Sequence, residues 1–306
     1  MSSVQTSRIK MKYKLFLIAC LVLSMTILAS CQKSQPGNLV YEPVKVRSDW
    51  FEVNYLGNRI YSIEEPKSSQ GNVSYLILGD NRALMFDTGC GENEVNGDYK
   101  IKYILDKITT LPVTLLQSHF HFDHNQNIHE FERIAFPDLP ELRERVSEEG
   151  LFQFTQEDLF EGDYPSEINV DEWFPLETDI DLGGQVIQLV HVPGHSNESV
   201  AILNKSSKVV LLGDFLYNGA LFLFRNDDLS VYQQTIDHLI SLLSEDYRLF
   251  GAHGDPEIEF GQLQKLDDFL SCIEEGACQF TERTVWGIPA HIYKYLDMNL
   301  LVFQQE

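Results

Sequence analysis

Positive charge is scarce in this chain. It holds 23 Lys and Arg against 46 Asp and Glu, a net charge of −23 over 306 residues. Phosphate backbones are gripped by Lys and Arg, so this balance argues against a nucleic-acid partner. Acidity is also an ordinary solubility feature. Cysteine is sparse: there are five, and none has the Cys-x-x-Cys spacing of a sulfur-rich metal site. Cys272 and Cys278 are close enough to pair, with Gly276 between them. A disulfide and two free thiols stay equally open, because geometry decides between them. No internal repeat or low-complexity tract is present. What is present is a 43% hydrophobic chain, long enough to bury a sizeable core in one large domain or two smaller ones.

A long apolar run occurs at the N-terminus, Leu15 to Leu28, broken only by Ser24 and Thr26. Arg8, Lys10, Lys12 and Lys14 precede it, and Leu28-Ala-Ser-Cys31 closes it. Basic, then apolar, then small is the order of a secretory signal, and the run is short for a membrane span. Leu-Ala-Ser-Cys resembles the lipobox of bacterial lipoproteins. By that resemblance residues 1–30 are cut away and Cys31 carries lipid. The protein is then exported and anchored in the cell envelope, on the periplasmic side of the outer membrane in a Gram-negative cell. Gln32 rather than Asp after Cys31 fits that destination. Losing four basic and no acidic residues would take the net charge from −23 to −27. Met11 is as natural a start as Met1.

Residues 31–45 read as a linker, with Pro36 and Gly37. From residue 46 to 306 short β-rich runs alternate with amphipathic helical stretches. The strands expected are 59–63, 73–78, 83–86, 113–117, 186–192, 199–203, 208–212 and 248–251. Helices are expected where apolar residues recur at 3.6 spacing, around 101–108, 232–243 and 263–273. Ser230 and Gln233 have capping-box spacing for the second. Gly276 ends the third. Interleaved strands and helices make the class α/β or α+β. Residues 133–181 are rich in Glu, Asp and Phe and contain four prolines, which suggests a lid or insertion.

The chemistry concentrates after the run 113–117, in His119-Phe-His121-Phe-Asp123-His124. Four potential ligands in six residues at a strand end serve no packing purpose. Imidazole and carboxylate are ligands that zinc takes. His119 and His121, two apart in an extended turn, can reach one ion, and Asp123 and His124 a second. His129, His191, His238 and His291 read as ordinary packing or surface residues, and Asp179, Asp181, Asp227 and Asp228 as loop or capping residues.

This cluster resembles that of the metallo-β-lactamase superfamily. Further motifs follow the family's order: Asp87-Thr-Gly89, Val192-Pro-Gly-His195, Gly213-Asp214 and Ala252-His253-Gly254. The resemblance covers about residues 50–255. It implies a four-layer αβ/βα sandwich with two zinc ions at its edge, iron or manganese being possible substitutes. His119, His121 and His195 would bind one ion and Asp123, His124 and His253 the other. Asp214 would bridge them, and Asp87 would support the site. One stretch departs from the pattern: where the family usually has two glycines after His124, this chain has Asn125-Gln-Asn127. That leaves the wall beside the metals open.

Two close cations can lower the pKa of a shared water towards about 7. The resemblance therefore implies a hydrolase that uses a metal-bridging hydroxide on a small-molecule substrate. Asp123 is the candidate to take the proton. Tyr217, three residues after Asp214, is similar to a residue of the quorum-sensing lactonases whose hydroxyl assists at the carbonyl. The run through Leu221 looks like a branch containing an acyl-coenzyme A thioesterase. Ester, thioester or lactone bonds of an acyl compound are thus the expected targets. Phe152, Phe154, Phe160, Trp173, Phe222 and Phe224 are candidates for an acyl pocket. A β-lactamase-like or phosphodiester hydrolase is the alternative reaction, and a non-catalytic, metal-stabilised envelope lipoprotein the alternative class.

Overall fold

The computed structural model of the protein describes residues 42–92, 100–162, 167–225 and 228–304. The N-terminal apolar run, Cys31 and the linker as far as Tyr41 lie outside these, as does Asp227. No helix among the described residues is long and apolar enough to cross a membrane.

The first ten strands are β1 (Glu42–Pro43), β2 (Glu52–Gly57), β3 (Ile60–Glu64), β4 (Val73–Leu78), β5 (Ala83–Phe86), β6 (Val113–Leu116), β7 (Ile134–Pro137), β8 (Leu151–Phe152), β9 (Ile168–Asn169) and β10 (Glu172–Phe174). Eight form one sheet in the order β1-β2-β3-β4-β5-β6-β7-β10, while β8 and β9 pair with each other. The next seven are β11 (Ile180–Asp181), β12 (Val186–His191), β13 (Val200–Asn204), β14 (Val209–Leu211), β15 (Ala220–Leu223), β16 (Arg248–Phe250) and β17 (Glu257–Ile258). Last come β18 (Phe280–Val285), β19 (Ile288–Tyr295) and β20 (Met298–Phe303). The second sheet has the order β11-β12-β13-β14-β16-β17 and a third the order β15-β20-β19-β18. Helices are α1 (Ile101–Ile108), α2 (Phe122–Asn125), α3 (Pro140–Arg145), α4 (Gln156–Leu159), α5 (Asp228–Leu242) and α6 (Gly261–Glu274).

Side chains alternate across a strand, so a strand apolar on both faces joins two cores. On β13, Val200 and Ile202 enter a core shared with Tyr75, Ile77, Leu84 and Phe86 of the first sheet. Ala201 and Leu203 enter another core shared with Tyr232 and Ile236 of α5 and Leu266 and Phe269 of α6. On the far side of the first sheet, Leu76 and Met85 pack with Ile101, Ile104 and Leu105 of α1. The layers are therefore helix, sheet, sheet, helix, the sandwich anticipated from the sequence.

Two local readings change. Residues 134–137 and 172–174 extend the first sheet as parallel strands, so both ends of the stretch 133–181 belong to the sandwich. Helix α5 is already running at Asp228, so Ser230 lies in its first turn rather than capping it. Asp228, paired with Arg225 at 3.1 Å, is the acidic group at that end. The Cys272–Cys278 alternative resolves as a disulfide at the end of α6, and Cys90 is a buried free thiol.

Candidate metal centre

Every side chain singled out for metal binding leaves the carboxyl end of a core strand, where open α/β sheets place their ligands. Asp87 follows β5, residues 119–124 follow β6, His195 follows β12, Asp214 follows β14 and His253 follows β16. Backbone bonds fasten these ends together. Val200 N donates to Ser118 O at 2.8 Å and Val73 N to Ala252 O at 2.7 Å. Asn72 and His253 form an isolated antiparallel bridge.

His119, His121 and His195 make one group that could hold a cation, and Asp123, His124, Asp214 and His253 make a second. In the first, His121 Nδ1 faces His119 Nε2 at 2.9 Å and His195 Nε2 at 2.9 Å. One shared cation could satisfy three ring nitrogens this close. Tetrahedral zinc–nitrogen bonds of about 2.0–2.1 Å would set them about 3.3 Å apart. Their outer nitrogens are committed elsewhere: His119 Nδ1 faces Ser118 Oγ at 3.0 Å and His195 Nδ1 faces Phe222 O at 3.0 Å. Such outer contacts fix the ring orientation of a ligating histidine. Burial pushes the His119 and His121 imidazoles well below their ordinary pKa, which keeps them in the neutral form a metal takes.

In the second group, His124 Nδ1 is held by Asp87 Oδ2 at 2.9 Å, and His253 Nδ1 by Gln70 O at 3.1 Å. His124 Nε2 and Asp214 Oδ1 are buried 3.3 Å apart, and neither makes a hydrogen bond of good geometry, an arrangement a cation would satisfy. Burial opposes charge on His124, but Asp123, Asp214 and Asp87 outweigh it and raise its pKa well above the usual value. Asp214 reaches both groups. Its Oδ1 is 3.0 Å from His253 Nε2, and its Oδ2 is 3.6 Å from His195 Nε2. The donor set and its spacing fit a pair of divalent cations sharing Asp214.

Tyr217 borders the second group. Its hydroxyl donates to Ala220 O, and its ring stands against His253 with centroids 4.9 Å apart. In this arrangement the hydroxyl faces the backbone and the ring lines the site. Burial raises the pKa of this phenol further. Asn125 and Asn127 are fully buried. Asn125 Nδ2 donates to His121 O at 2.9 Å, and Asn127 Nδ2 to Thr88 O at 2.6 Å. The departure from the usual glycines thus fastens the histidine turn from inside.

The six aromatic candidates divide. Phe152 and Phe154 are buried in a core with Phe120 and Phe136, and Trp173 packs on its rim. Phe160 and Phe224 instead meet His121, at 6.0 and 4.9 Å between centroids. Phe222 stacks on Trp286. His129 is exposed. His191, His238 and His291 lie outside both groups: His191 faces Asn197 O, His238 faces Glu177, and His291 stacks on Phe280. Asp179 and Asp181 accept local hydrogen bonds from Gln188 and Gly183.

Asn72 is a site residue that sequence reasoning missed. Its Nδ2 donates to Asp123 O at 2.9 Å and to Asp123 Oδ2 at 3.3 Å. A polar residue immediately before an apolar strand was the only local signal.

Residues 70–253 match the metallo-beta-lactamase superfamily, and the chain belongs to that family. Among its relatives is the acyl-coenzyme A thioesterase MBLAC2 of Bos taurus, 25% identical over 215 residues, which are 64% of this chain and 77% of that one. A probable metallo-hydrolase, YqgX, of Bacillus subtilis is 25% identical over 204 residues, 65% of this chain and 92% of that one. The fold matches a metallo-beta-lactamase from Pontibacter korlensis with a TM-score of 0.55 at 17% identity, covering 72% of this chain and 99% of the other. A metallo-beta-lactamase family protein of Thermus thermophilus gives 0.54 at 16% identity, with 74% and 97% covered. The chain is a metallo-beta-lactamase-fold hydrolase with side-chain groups that could hold metal.

Proposed function

We propose that the protein is a dinuclear hydrolase, zinc-dependent by its donor type, of ester, thioester or lactone bonds in acyl substrates. The observation that carries the dinuclear reading is Asp214, whose two oxygens face histidines of both groups. The thioesterase relatives support the acyl bond as its target. Bound there, two cations would acidify water and polarise the substrate carbonyl.

The chain's own residues supply the rest. Asp123 is buried, and Asn72 holds its Oδ2. It is the carboxylate placed to take a proton from the attacking water and return it to the departing oxygen or sulfur. Asp87 holds His124 through Nδ1, so that Nε2 faces inward. Tyr217 closes one side against His253.

The test is metal analysis beside a panel of p-nitrophenyl esters, acyl thioesters, acyl-homoserine lactones, a chromogenic cephalosporin and bis-p-nitrophenyl phosphate. We expect about two metals per chain, hydrolysis of acyl substrates, and loss of turnover by at least about a hundredfold in His121→Ala. Undiminished turnover in metal-free protein, or activity on the phosphate diester alone, would overturn the reading.

Export with a lipid on Cys31 is part of the same proposal. The order of basic, apolar and small residues before Cys31 supports it. A disulfide at Cys272–Cys278 fits an oxidising compartment.

A further inference from the structure

Aromatic rings continue outward from His121 and His195 along one face of the third sheet. On β15 the alternation of side chains divides the strand. Leu221 and Leu223 turn into the helix-side core, while Phe222 and the following Phe224 turn to the other face. Phe224 meets His121 and His195, with centroids at 4.9 and 5.3 Å, and stacks on Phe303 at 5.5 Å. Trp286 stacks on Phe222 at 5.5 Å and on Phe303 at 5.5 Å. Phe160 joins the ends of this surface, 6.0 Å from His121 and 5.4 Å from Trp286. Phe160, Phe222 and Phe224 are half-buried, and Trp286 is 39% exposed.

Two of these rings are held by backbone that resists them. Trp286 and Gly287 form the two-residue turn between β18 and β19, with φ of 51° and 83°. That mirror-image turn favours Asn at its first position, not a bulky ring. Phe160 has φ 60° and ψ −51°, and Glu161 N donates to Leu159 O across it. This is the rarer, strained hand of a γ-turn. Strain of this kind clusters where a ligand is clamped.

We propose that Phe160, Phe222, Phe224 and Trp286 form a shelf that binds the apolar acyl chain of the substrate, with its carbonyl end at the proposed metal ligands. The identity of the ligand rests on the acyl-hydrolase reading above. Continuity with His121 and His195 sets the direction in which the chain lies. No charged side chain belongs to the stacked set, so the shelf takes hydrocarbon rather than a polar group. The two centroid steps from His121 through Phe160 to Trp286 measure 6.0 and 5.4 Å. With carbon–carbon bonds of about 1.5 Å an extended chain advances about 1.25 Å per carbon, so these two steps span at most about nine carbons.

Calorimetric titration of the purified protein with straight-chain carboxylates from butanoate to dodecanoate tests this without turnover. The dissociation constant should fall about two- to fourfold per methylene and level off by about nine carbons. Trp286→Asn, which suits the turn, and Phe160→Ala should each flatten that slope. A wild-type constant independent of chain length, or an unaltered slope in both variants, would overturn the shelf. Turnover of p-nitrophenyl esters of the same lengths separates the two proposals. A binding slope without any acyl turnover keeps the shelf and sinks the hydrolase reading. Turnover without a slope does the reverse.

Discussion

Asp87 holds a left-handed backbone conformation, φ 68°, that non-glycine residues seldom adopt. Its two oxygens account for it. Oδ1 accepts from Ser118 N at 2.6 Å and Oδ2 meets His124 Nδ1 at 2.9 Å, so one residue pins both the start of the histidine turn and a ring within it. Glu65 shows the opposite economy. It is buried at 2% exposure, accepting from Trp50 Nε1 at 2.8 Å and Cys90 N at 3.3 Å. Burial, against these two bonds, raises its pKa from 4.5 to about 7. The folded protein therefore holds a proton that the unfolded chain releases between those values. Stability from this group is complete below pH 4.5 and lost as pH rises through about 7. Relative to Glu65→Gln, the wild type should lose about 3 kcal/mol between pH 4 and 8, at about 1.4 kcal/mol per unit. Urea unfolding of both proteins at the two pH values measures this, and a pH-independent difference would refute it.

At the scale of elements, the strands bearing the site were legible in the sequence. Runs such as 73–78 and 83–86 are apolar on both faces and bounded by turn residues, and they became β4 and β5 without change. The groups that could hold metal were legible for a related reason: a metal site needs particular side chains at fixed spacings close to strand ends. The shelf was not. Its rings come from residues 160, 222, 224 and 286, and only the fold brings them together. Phe152 and Phe154 looked equivalent to Phe160, yet strand pairing and packing turn them into the core, while the γ-turn carries Phe160 out. The β18–β19–β20 meander was missed although Trp286-Gly287 marks its first turn. The disulfide depended on geometry that spacing does not reveal. It closes a short loop across the end of α6. Replacing both cysteines by serine should lower stability by about 2 kcal/mol. Thermal unfolding under oxidising conditions reads this out. Equal melting temperatures for the two proteins would show that the loop is held without the bond.

At the scale of the whole molecule, the lipobox-like segment would put the acidic hydrolase domain at a membrane surface outside the cytoplasm. The prediction concerns residues ahead of the sandwich. Expressed in a bacterial host with labelled palmitate, the full chain should take up label and sediment with membranes. Cys31→Ser should lose both properties and leave the folded domain's hydrolase activity unchanged. Label retained by Cys31→Ser would refute the anchor.

The proposed ligands are also divided between the two halves of the sandwich. His119, His121, Asp123 and His124 follow a strand of the first sheet, whereas His195, Asp214 and His253 follow strands of the second. Cations seated among them would act as rivets across the seam. Stripping the metal should then loosen one half against the other, first at the bridge between Asn72 and His253.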